Sequence, residues 1–298
     1  MFKQEYVYWR LYFNLYSVLD SLLYSSVYLS IASGAMMYIS CILQGIPFTP
    51  MLFAIGFSIT FSVYNLNRKT DEQEDIINHA TRYAFTKKYE RSLFILSVAG
   101  YAGALAIAAW IGWGAFLVTA FPLFCGIAYS MPFLPAGFRY RRLKEIPLGK
   151  NLTVTCAWAV THALLPVVLV GSVIGPMTWA TGLFFFALVF VNTVLFDMRD
   201  VEGDATAGVK TVPVLLGIGR TQLLLVAIDL VMGSVVLAIS IPLAPWWQSG
   251  ILMLGTVYGF GYISSFQRID FGNLLCDLVA DGQFIGIGIA LYMAARLV

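Results

Sequence analysis

The sequence predicts an all-α, polytopic membrane protein, and two observations carry this prediction. Of the 298 residues, 59% are hydrophobic and only 11% are charged, with a mean hydropathy of +0.80. An ordinary soluble domain has about 25% charged residues. The hydrophobic residues also fall into stretches of roughly 20 residues, the length that an α-helix needs to cross a bilayer. We predict one integral-membrane domain over residues 1–298.

Nine stretches along the chain are apolar enough to be predicted as transmembrane helices. They cover residues 17–43, 50–66, 91–110, 113–130, 151–171, 177–196, 220–242, 247–266 and 276–296. The N-terminal residues before them include Tyr, Trp, Lys and Arg, which is typical of an interfacial amphipathic segment and not of a cleavable signal peptide.

The loops between these segments are of two kinds, and their charges predict the topology. One set is short and contains no Lys or Arg. The other set is long and charged: residues 67–90, 131–150, 197–219 and 267–275. The positive-inside rule therefore places the long loops and the N-terminus in the cytoplasm. We expect short helices in these loops to form a cytoplasmic cap over a central cavity. A net charge of +2 gives no indication of nucleic-acid binding.

An acidic stretch, VNTVLFDMRDVEGDATAGVKTVP, follows the sixth apolar segment. Asp197, Asp200 and Asp204 are spaced i, i+3 and i+7, so they would share one helix face, whereas Arg199 and Glu202 would point elsewhere. Three like charges on one face repel each other. A divalent cation such as Mg²⁺, which binds carboxylate oxygens, would reverse that repulsion. The stretch therefore predicts a metal site.

A second acidic stretch, YNLNRKTDEQED, follows the second apolar segment and places Asn67, Asp71 and Asp75 at i, i+4 and i+8. Both acidic faces begin where an apolar segment meets a polar loop, so we expect them to enclose one anionic ligand through metal ions. Metal ions together with Lys and Arg are how proteins hold a diphosphate. The nearby candidates are Arg82, Lys87, Lys88, Lys144, Lys150 and Lys210, with Tyr140 one helical turn before Lys144.

The two histidines and the membrane carboxylates leave other interpretations open. His79 is expected to be solvated in the cap, and His162 to be a hydrogen-bonded core residue. Transporters also place carboxylates in membranes, although usually near the midplane on helices broken by Gly or Pro. A cation- or proton-coupled membrane transporter is therefore the alternative function at this point.

The order and spacing of the motifs resemble the UbiA-type intramembrane prenyltransferase superfamily over nearly the whole chain. Three motifs carry the likeness: NxxxDxxxD at Asn67, Asp71 and Asp75, YxxxK at Tyr140 and Lys144, and DxxxD at Asp200 and Asp204. In one departure, Arg68 stands where many members have a further Asp, which leaves one fewer possible metal ligand.

The resemblance implies a transferase that uses Mg²⁺, with two ions between the acidic faces. The ions would hold an isoprenyl diphosphate of geranyl to geranylgeranyl length or longer. Its isoprenyl group would pass to a lipophilic or aromatic acceptor through a carbocation-like step, releasing diphosphate. The implied metal ligands are Asn67, Asp71, Asp75, Asp197, Asp200 and Asp204. The implied diphosphate contacts are Asn67, Arg82, Lys88, Tyr140 and Lys144, and the expected location is the cytoplasmic membrane. An aromatic acid, a quinone precursor, a glyceryl phosphate ether and a carotenoid all stay open as the acceptor.

Overall fold

The protein folds into a bundle of α-helices, seen here in a computed structural model. The structure describes residues 17–70, 72, 76, 79–132, 135, 137, 142–206, 208–266 and 275–297. Within these residues there is no β-strand, which confirms the all-α prediction.

Thirteen α-helices are numbered here in chain order. They are α1 Ser17–Tyr24, α2 Val27–Leu43, α3 Pro50–Thr70, α4 Ala80–Lys88, α5 Glu90–Ile111, α6 Trp113–Ser130, α7 Gly149–Val170, α8 Pro176–Arg199, α9 Val201–Thr206, α10 Val212–Leu216, α11 Ile218–Ser240, α12 Trp246–Ser265 and α13 Asp281–Leu297. A one-turn 3₁₀ helix at Leu143–Glu145 precedes α7, and a π-helical turn at Leu275–Ala280 leads into α13.

Six helices in the described part of the chain are long and apolar enough to cross a membrane. They are α5, α6, α7, α8, α11 and the span Cys276–Leu297 that contains α13. The α1–α2 pair, bent by 65°, makes a seventh if it is counted as one span. Helices α3 and α12 coincide with the second and eighth predicted segments but are not among these spans. Helices thus occupy the predicted apolar segments, whereas the number of nine transmembrane helices stays a prediction.

Helix α8 lies at the centre of the bundle and packs against α7, α11, α12 and α2. Its apolar side chains, such as Phe184, Phe185 and Leu188, are almost fully buried in the main core. An interior packed this densely resists movement, because displaced side chains lose contacts on every side. The polar end of α8, which carries Asp197, is therefore held on a rigid support.

The break between α1 and α2 is capped by the polar end of α3. Ser26 has a left-handed backbone (φ 64°), which ends α1 and leaves its last carbonyl groups without helical partners. Asn65 Nδ2 donates to the Ser25 carbonyl at 3.0 Å, and Arg68 donates to the Tyr24 carbonyl. Arg68, the departure from the family pattern, thus joins α3 to the end of α1.

Candidate active site

A cavity of about 880 Å³ opens between the helices, at the upper end of the range of roughly 300–1,000 Å³ typical of ligand pockets. One end is charged. The described cations that line it are Arg68, Arg82, Arg142, Lys150, Arg199 and Lys210, and the described acids are Glu145, Asp197, Asp200, Asp204, Asp277 and Asp281. This end of the cavity can therefore bind both cations and anions.

The rest of the cavity is largely apolar and runs down between α2, α3, α6 and α7. Along α7 it is lined from Lys150 to His162, which is about 18 Å at 1.5 Å per helical residue. Tyr64 and Trp158 meet edge to face on its wall, with ring centroids 6.1 Å apart. His162 is buried at the lower end, with Nε2 2.7 Å from Ser33 Oγ and Nδ1 2.8 Å from the Trp158 carbonyl. The prediction that His162 is a hydrogen-bonded core residue is confirmed.

Asp197 anchors a lysine at the charged end. Its side chain is fully buried; Oδ1 accepts from Lys150 Nζ at 2.7 Å and Oδ2 accepts from Asn151 Nδ2 at 2.8 Å. Both donors come from the first turn of α7, so the pair also ties α7 to the end of α8. Each carboxylate oxygen thus has a protein donor, and Lys150 is fixed with its ammonium facing the cavity.

Asp200 caps the end of α8 and is held by its neighbour in sequence. Arg199 Nε lies 2.8 Å from Asp200 Oδ1 and Nη2 lies 2.9 Å from Oδ2, while Nη1 donates to Asp277 Oδ1 at 2.9 Å. His79 Nε2 lies 3.6 Å from Asp200 Oδ2. Burial opposes the charge of Asp200, but the hydrogen bonds from His79 and Arg199 outweigh it and hold the pKa of Asp200 well below its usual range.

This arrangement overturns two of the sequence predictions. Arg199 does not point away from the acidic face, because the end of α8 turns its guanidinium across the cavity to Asp277. His79 is not a solvated residue of the cap, because it lines the cavity beside Arg199, with Nε2 3.1 Å from Nη2. Glu202, by contrast, is exposed as predicted. Helical spacing alone gives the direction of a side chain only while the helix continues, and α8 ends at Arg199.

Asp204 differs from the other two acids of its stretch. It lies on the short helix α9, is buried, and its Oδ2 has no hydrogen-bond partner among the described residues. Burial is the main cause that raises the pKa of Asp204 to about 6; Lys150 opposes the rise, and the charges of Asp197 and Asp200 add to it. A buried carboxylate oxygen without a donor is costly, and a bound cation would remove that cost. Asp204 therefore fits a metal ligand.

The other predicted site residues divide into three groups. Asn67 and Arg82 line the same cavity as the acids of α8 and α9. Lys88 does not line it, because it is exposed at the end of α4 with Nζ 5.2 Å from the ring centroid of Tyr89. The predicted site residues Asp71, Asp75 and Tyr140, together with the side chain of Lys144, lie outside the described residues. Among the side chains that are described, no three His, Cys, Asp or Glu residues group as a metal site.

The comparison with protein families is decisive for the identity of the fold. The model of the UbiA prenyltransferase family matches residues 26–273, most of the chain. The chain belongs to the UbiA prenyltransferase family. It is a membrane protein of that family, and the resemblance seen in its motifs is confirmed.

Individual relatives of this UbiA-family chain are more distant. Digeranylgeranylglyceryl phosphate synthase of Pyrococcus horikoshii is 29% identical over 181 residues, which span 58% of this chain and 60% of that relative. A UbiA homolog from Archaeoglobus fulgidus bound to GPP and Mg²⁺ has a TM-score of 0.63 at 17% identity, over 92% of this chain and 99% of that one. The apo UbiA homolog from Aeropyrum pernix has a TM-score of 0.63 at 19% identity, over 89% and 98%. These structural likenesses are of the fold.

Sequence reasoning missed a further acidic pair that lines the cavity. Asp277 and Asp281 line the cavity from the π-turn and the start of α13. Their spacing, i and i+4 at the edge of an apolar segment, is the same signal that identified the other two acidic stretches. The signal was present in LCDLVADGQF but lacked neighbouring basic residues to draw attention to it.

Proposed function

We propose that this UbiA-family protein transfers an isoprenyl group from an allylic isoprenyl diphosphate to a lipophilic or aromatic acceptor, with release of diphosphate. One observation carries the proposal: a single cavity runs about 18 Å along α7, from a charged end at Lys150 into a largely apolar part. An isoprenyl diphosphate has the same two parts, a charged head and a hydrocarbon tail. The bound GPP of the Archaeoglobus fulgidus homolog supports the same donor class.

A divalent cation such as Mg²⁺ would be held at the acidic end by Asp204, with Asn67 and the predicted Asp71 and Asp75. Asp200 stays a predicted ligand that would have to give up a contact with Arg199, because both its oxygens are bonded to that guanidinium. The buried, partnerless Oδ2 of Asp204 supports a cation there. When bound, such ions supply positive charge that offsets the charge of the departing diphosphate. Asp197 has both oxygens occupied by Lys150 and Asn151, so we assign it to positioning Lys150. Two ions would balance a diphosphate more fully than one.

The cations at the rim would bind the diphosphate oxygens directly. Lys150 and Arg82 line the cavity and are the described candidates. Tyr140 and Lys144 stay predicted contacts, with the backbone of Lys144 in the 3₁₀ turn at the cavity rim. Lys88 is left out of the proposal because it is exposed outside the cavity. Bound in this way, the diphosphate would be stabilised as it takes the electrons of the breaking C–O bond.

The apolar length would hold the isoprenoid tail and expose its reactive end to aromatic rings. Tyr64 and Trp158 present their rings to the cavity below the charged end. An aromatic face stabilises a nearby cation by roughly 0.5–2 kcal/mol, depending on solvation. The allylic carbon would therefore develop its positive charge in an apolar site whose aromatic rings stabilise a cation.

The orientation in the membrane follows from the charged loops. We propose nine spans, with the long loops and the cavity mouth on the cytoplasmic side of the cell membrane, because those loops hold 13 of the 18 Lys and Arg residues and the short loops hold none. The water-soluble head of the donor would enter from the cytoplasm. Cysteine-accessibility labelling that places residues 131–150 on the same side as residues 171–177 would contradict this orientation.

The proposed reaction is tested with the protein purified in detergent. Geranyl, farnesyl and geranylgeranyl diphosphates are offered with Mg²⁺ and a panel of acceptors: an aromatic acid, a quinone precursor, a glyceryl phosphate ether and a carotenoid. We expect diphosphate release together with a product whose mass has gained one isoprenyl group, and neither in EDTA. A protein that releases no diphosphate but dissipates an ion gradient in liposomes would instead be a transporter.

A further inference from the structure

We propose that Asp281 is the base that takes the proton from the acceptor, a role that rests on the proposed prenyl transfer. Asp281 belongs to none of the motifs that predict metal binding. It lies at the start of α13 and lines the cavity. Prenyl transfer to a protic acceptor must end in loss of a proton, and a carboxylate in the cavity can receive it.

The place of Asp281 in the cavity suits this role. It lines the same cavity as Tyr64, and the next residue, Gly282, packs against Tyr28, another lining residue. Tyr64 precedes Asn67 by one turn of α3, so its ring lies next to the charged end. The diphosphate would end and the tail would begin near this ring. The bond between the acceptor and the isoprenyl group must form there.

A saturated amide holds Asp281 in place. Asn192 Nδ2 donates to the Ala280 carbonyl at 3.0 Å and lies 3.5 Å from Asp281 Oδ1. Asn192 Oδ1 accepts from Tyr262 Oη at 2.8 Å and from Gln283 Nε2 at 2.9 Å. Because two donors contact the Asn192 oxygen, the opposite orientation of this amide is excluded, and its NH₂ group must lie toward Asp281. Asn192 is therefore a positioning residue.

The partners of Asp281 distinguish it from a structural carboxylate. Asp277, on the preceding turn, forms an ion pair with Arg199 at 2.9 Å. No described Lys or Arg lies within ion-pair distance of Asp281. The Tyr28 hydroxyl donates to the Leu278 carbonyl at 2.9 Å. Tyr28 also packs against Gly282, where an added Cβ would lie 2.3 Å from the tyrosine hydroxyl oxygen. The carboxyl group thus faces the cavity beside a fixed tyrosine, held by the Asn192 amide and not by a direct ion pair.

The step balances without any further reactant. The C1–O bond of the donor breaks, and its electron pair leaves with the diphosphate. A lone pair of the acceptor forms the new bond to C1. The O–H bond of the acceptor breaks, its electrons stay on the acceptor oxygen, and the proton passes to Asp281. For an aromatic acceptor that is alkylated on carbon, the proton comes from the ring carbon instead. The carboxylic acid then returns its proton to water.

The test compares Asp281→Asn with Asp277→Asn in the full-length protein, using geranylgeranyl diphosphate, Mg²⁺ and whichever acceptor the panel identifies. Product and diphosphate are measured separately. We expect Asp281→Asn to lower transfer by about 10²–10⁴-fold, with little change in the KM for the donor. Diphosphate release should continue by hydrolysis, so the ratio of product to diphosphate should fall. Asp281→Glu should restore part of the transfer, which shows that the site still folds. Asp277→Asn, which weakens the hold on Arg199, should lower product and diphosphate together.

Two results would overturn this role. One is an unchanged ratio of product to diphosphate in Asp281→Asn, and the other is a change confined to the KM for the donor. A wild-type protein that releases no diphosphate with any donor would instead overturn the proposed function, so the two failures are distinguishable.

Discussion

The two acidic walls of the cavity, one on α8–α9 and the other on α13, are built on similar spacings but balance their charge differently. On the first wall, Asp197 and Asp200 each have a cation as partner. Asp204, in the same stretch, has an oxygen with no donor among the described residues. On the second wall, Asp277 pairs with Arg199, whereas Asp281 is held by a neutral amide.

The comparison shows that carboxylates of one sequence stretch have different roles. Those with a cation partner fix the geometry, because removing either member leaves an unbalanced charge. Those without one have charge available for a ligand or a proton. Arg199 joins the walls, since it contacts Asp200 on one side and Asp277 on the other. A substitution should therefore have a different effect on each acid, even where the spacing looks the same.

The largest effect is expected at Asp204. Asp204→Asn removes the proposed metal ligand with little change in shape, and loss of one electrostatic stabiliser of a developing charge typically lowers the rate by about 10²–10³. The measurement is diphosphate release under saturating Mg²⁺. Glu202→Gln is the matched control, because Glu202 is an exposed acid on the same short helix. Equal loss in both variants would contradict a specific role of Asp204.

A smaller loss of activity, with a loss of stability, is expected at Asp197. Asp197→Asn leaves the ammonium of Lys150 without its partner, and breaking a buried pair costs about 3–5 kcal/mol, less here because the Lys150 side chain is 35% exposed. The melting temperature in detergent should therefore fall. The double variant Asp197→Asn/Lys150→Met should recover stability and not activity, since the cation is still missing. Recovery of both would show that Lys150 does not bind the diphosphate.

Titration of Asp204 should have a moderate, pH-dependent effect on the stability of the metal-free protein. Its native pKa is about 6, whereas an unperturbed Asp titrates near 3.9. Between about pH 4 and 6 the native state keeps a proton that the unfolded state has lost, so stability should fall as the pH rises through this window. In EDTA, the melting temperature of Asp204→Asn minus that of the wild type should therefore be larger at pH 7 than at pH 4.5. An equal difference at both pH values would show that Asp204 does not titrate in this window.

Much of the fold could be predicted from the sequence, since long apolar stretches in lipid must satisfy their backbone groups as helices. The acidic stretch at Asp197, Asp200 and Asp204 was also visible from its spacing. The partners were not, because they come from distant elements: Lys150 begins α7, and Asp277 precedes α13. The direction of Arg199 depends on where α8 ends. Asp71 and Asp75 stay predictions of the sequence alone.

The smallest effect on donor binding is expected at Lys88. Its comparison with Arg82 separates a charge near the cavity from a charge that lines it. Lys88 was a predicted diphosphate contact, yet it is exposed at the end of α4. Arg82, on the preceding turns of the same helix, lines the cavity. Lys88→Gln should therefore leave the KM for the donor within about twofold, because isolated surface charges contribute roughly 0–1 kcal/mol. Arg82→Gln should raise that KM by at least about tenfold, as expected for a lost hydrogen bond to a charged group. Measuring both variants with the same donor at fixed ionic strength removes screening as an explanation. An equal rise in KM for Lys88→Gln would mean that α4 moves its end over the cavity when the diphosphate binds.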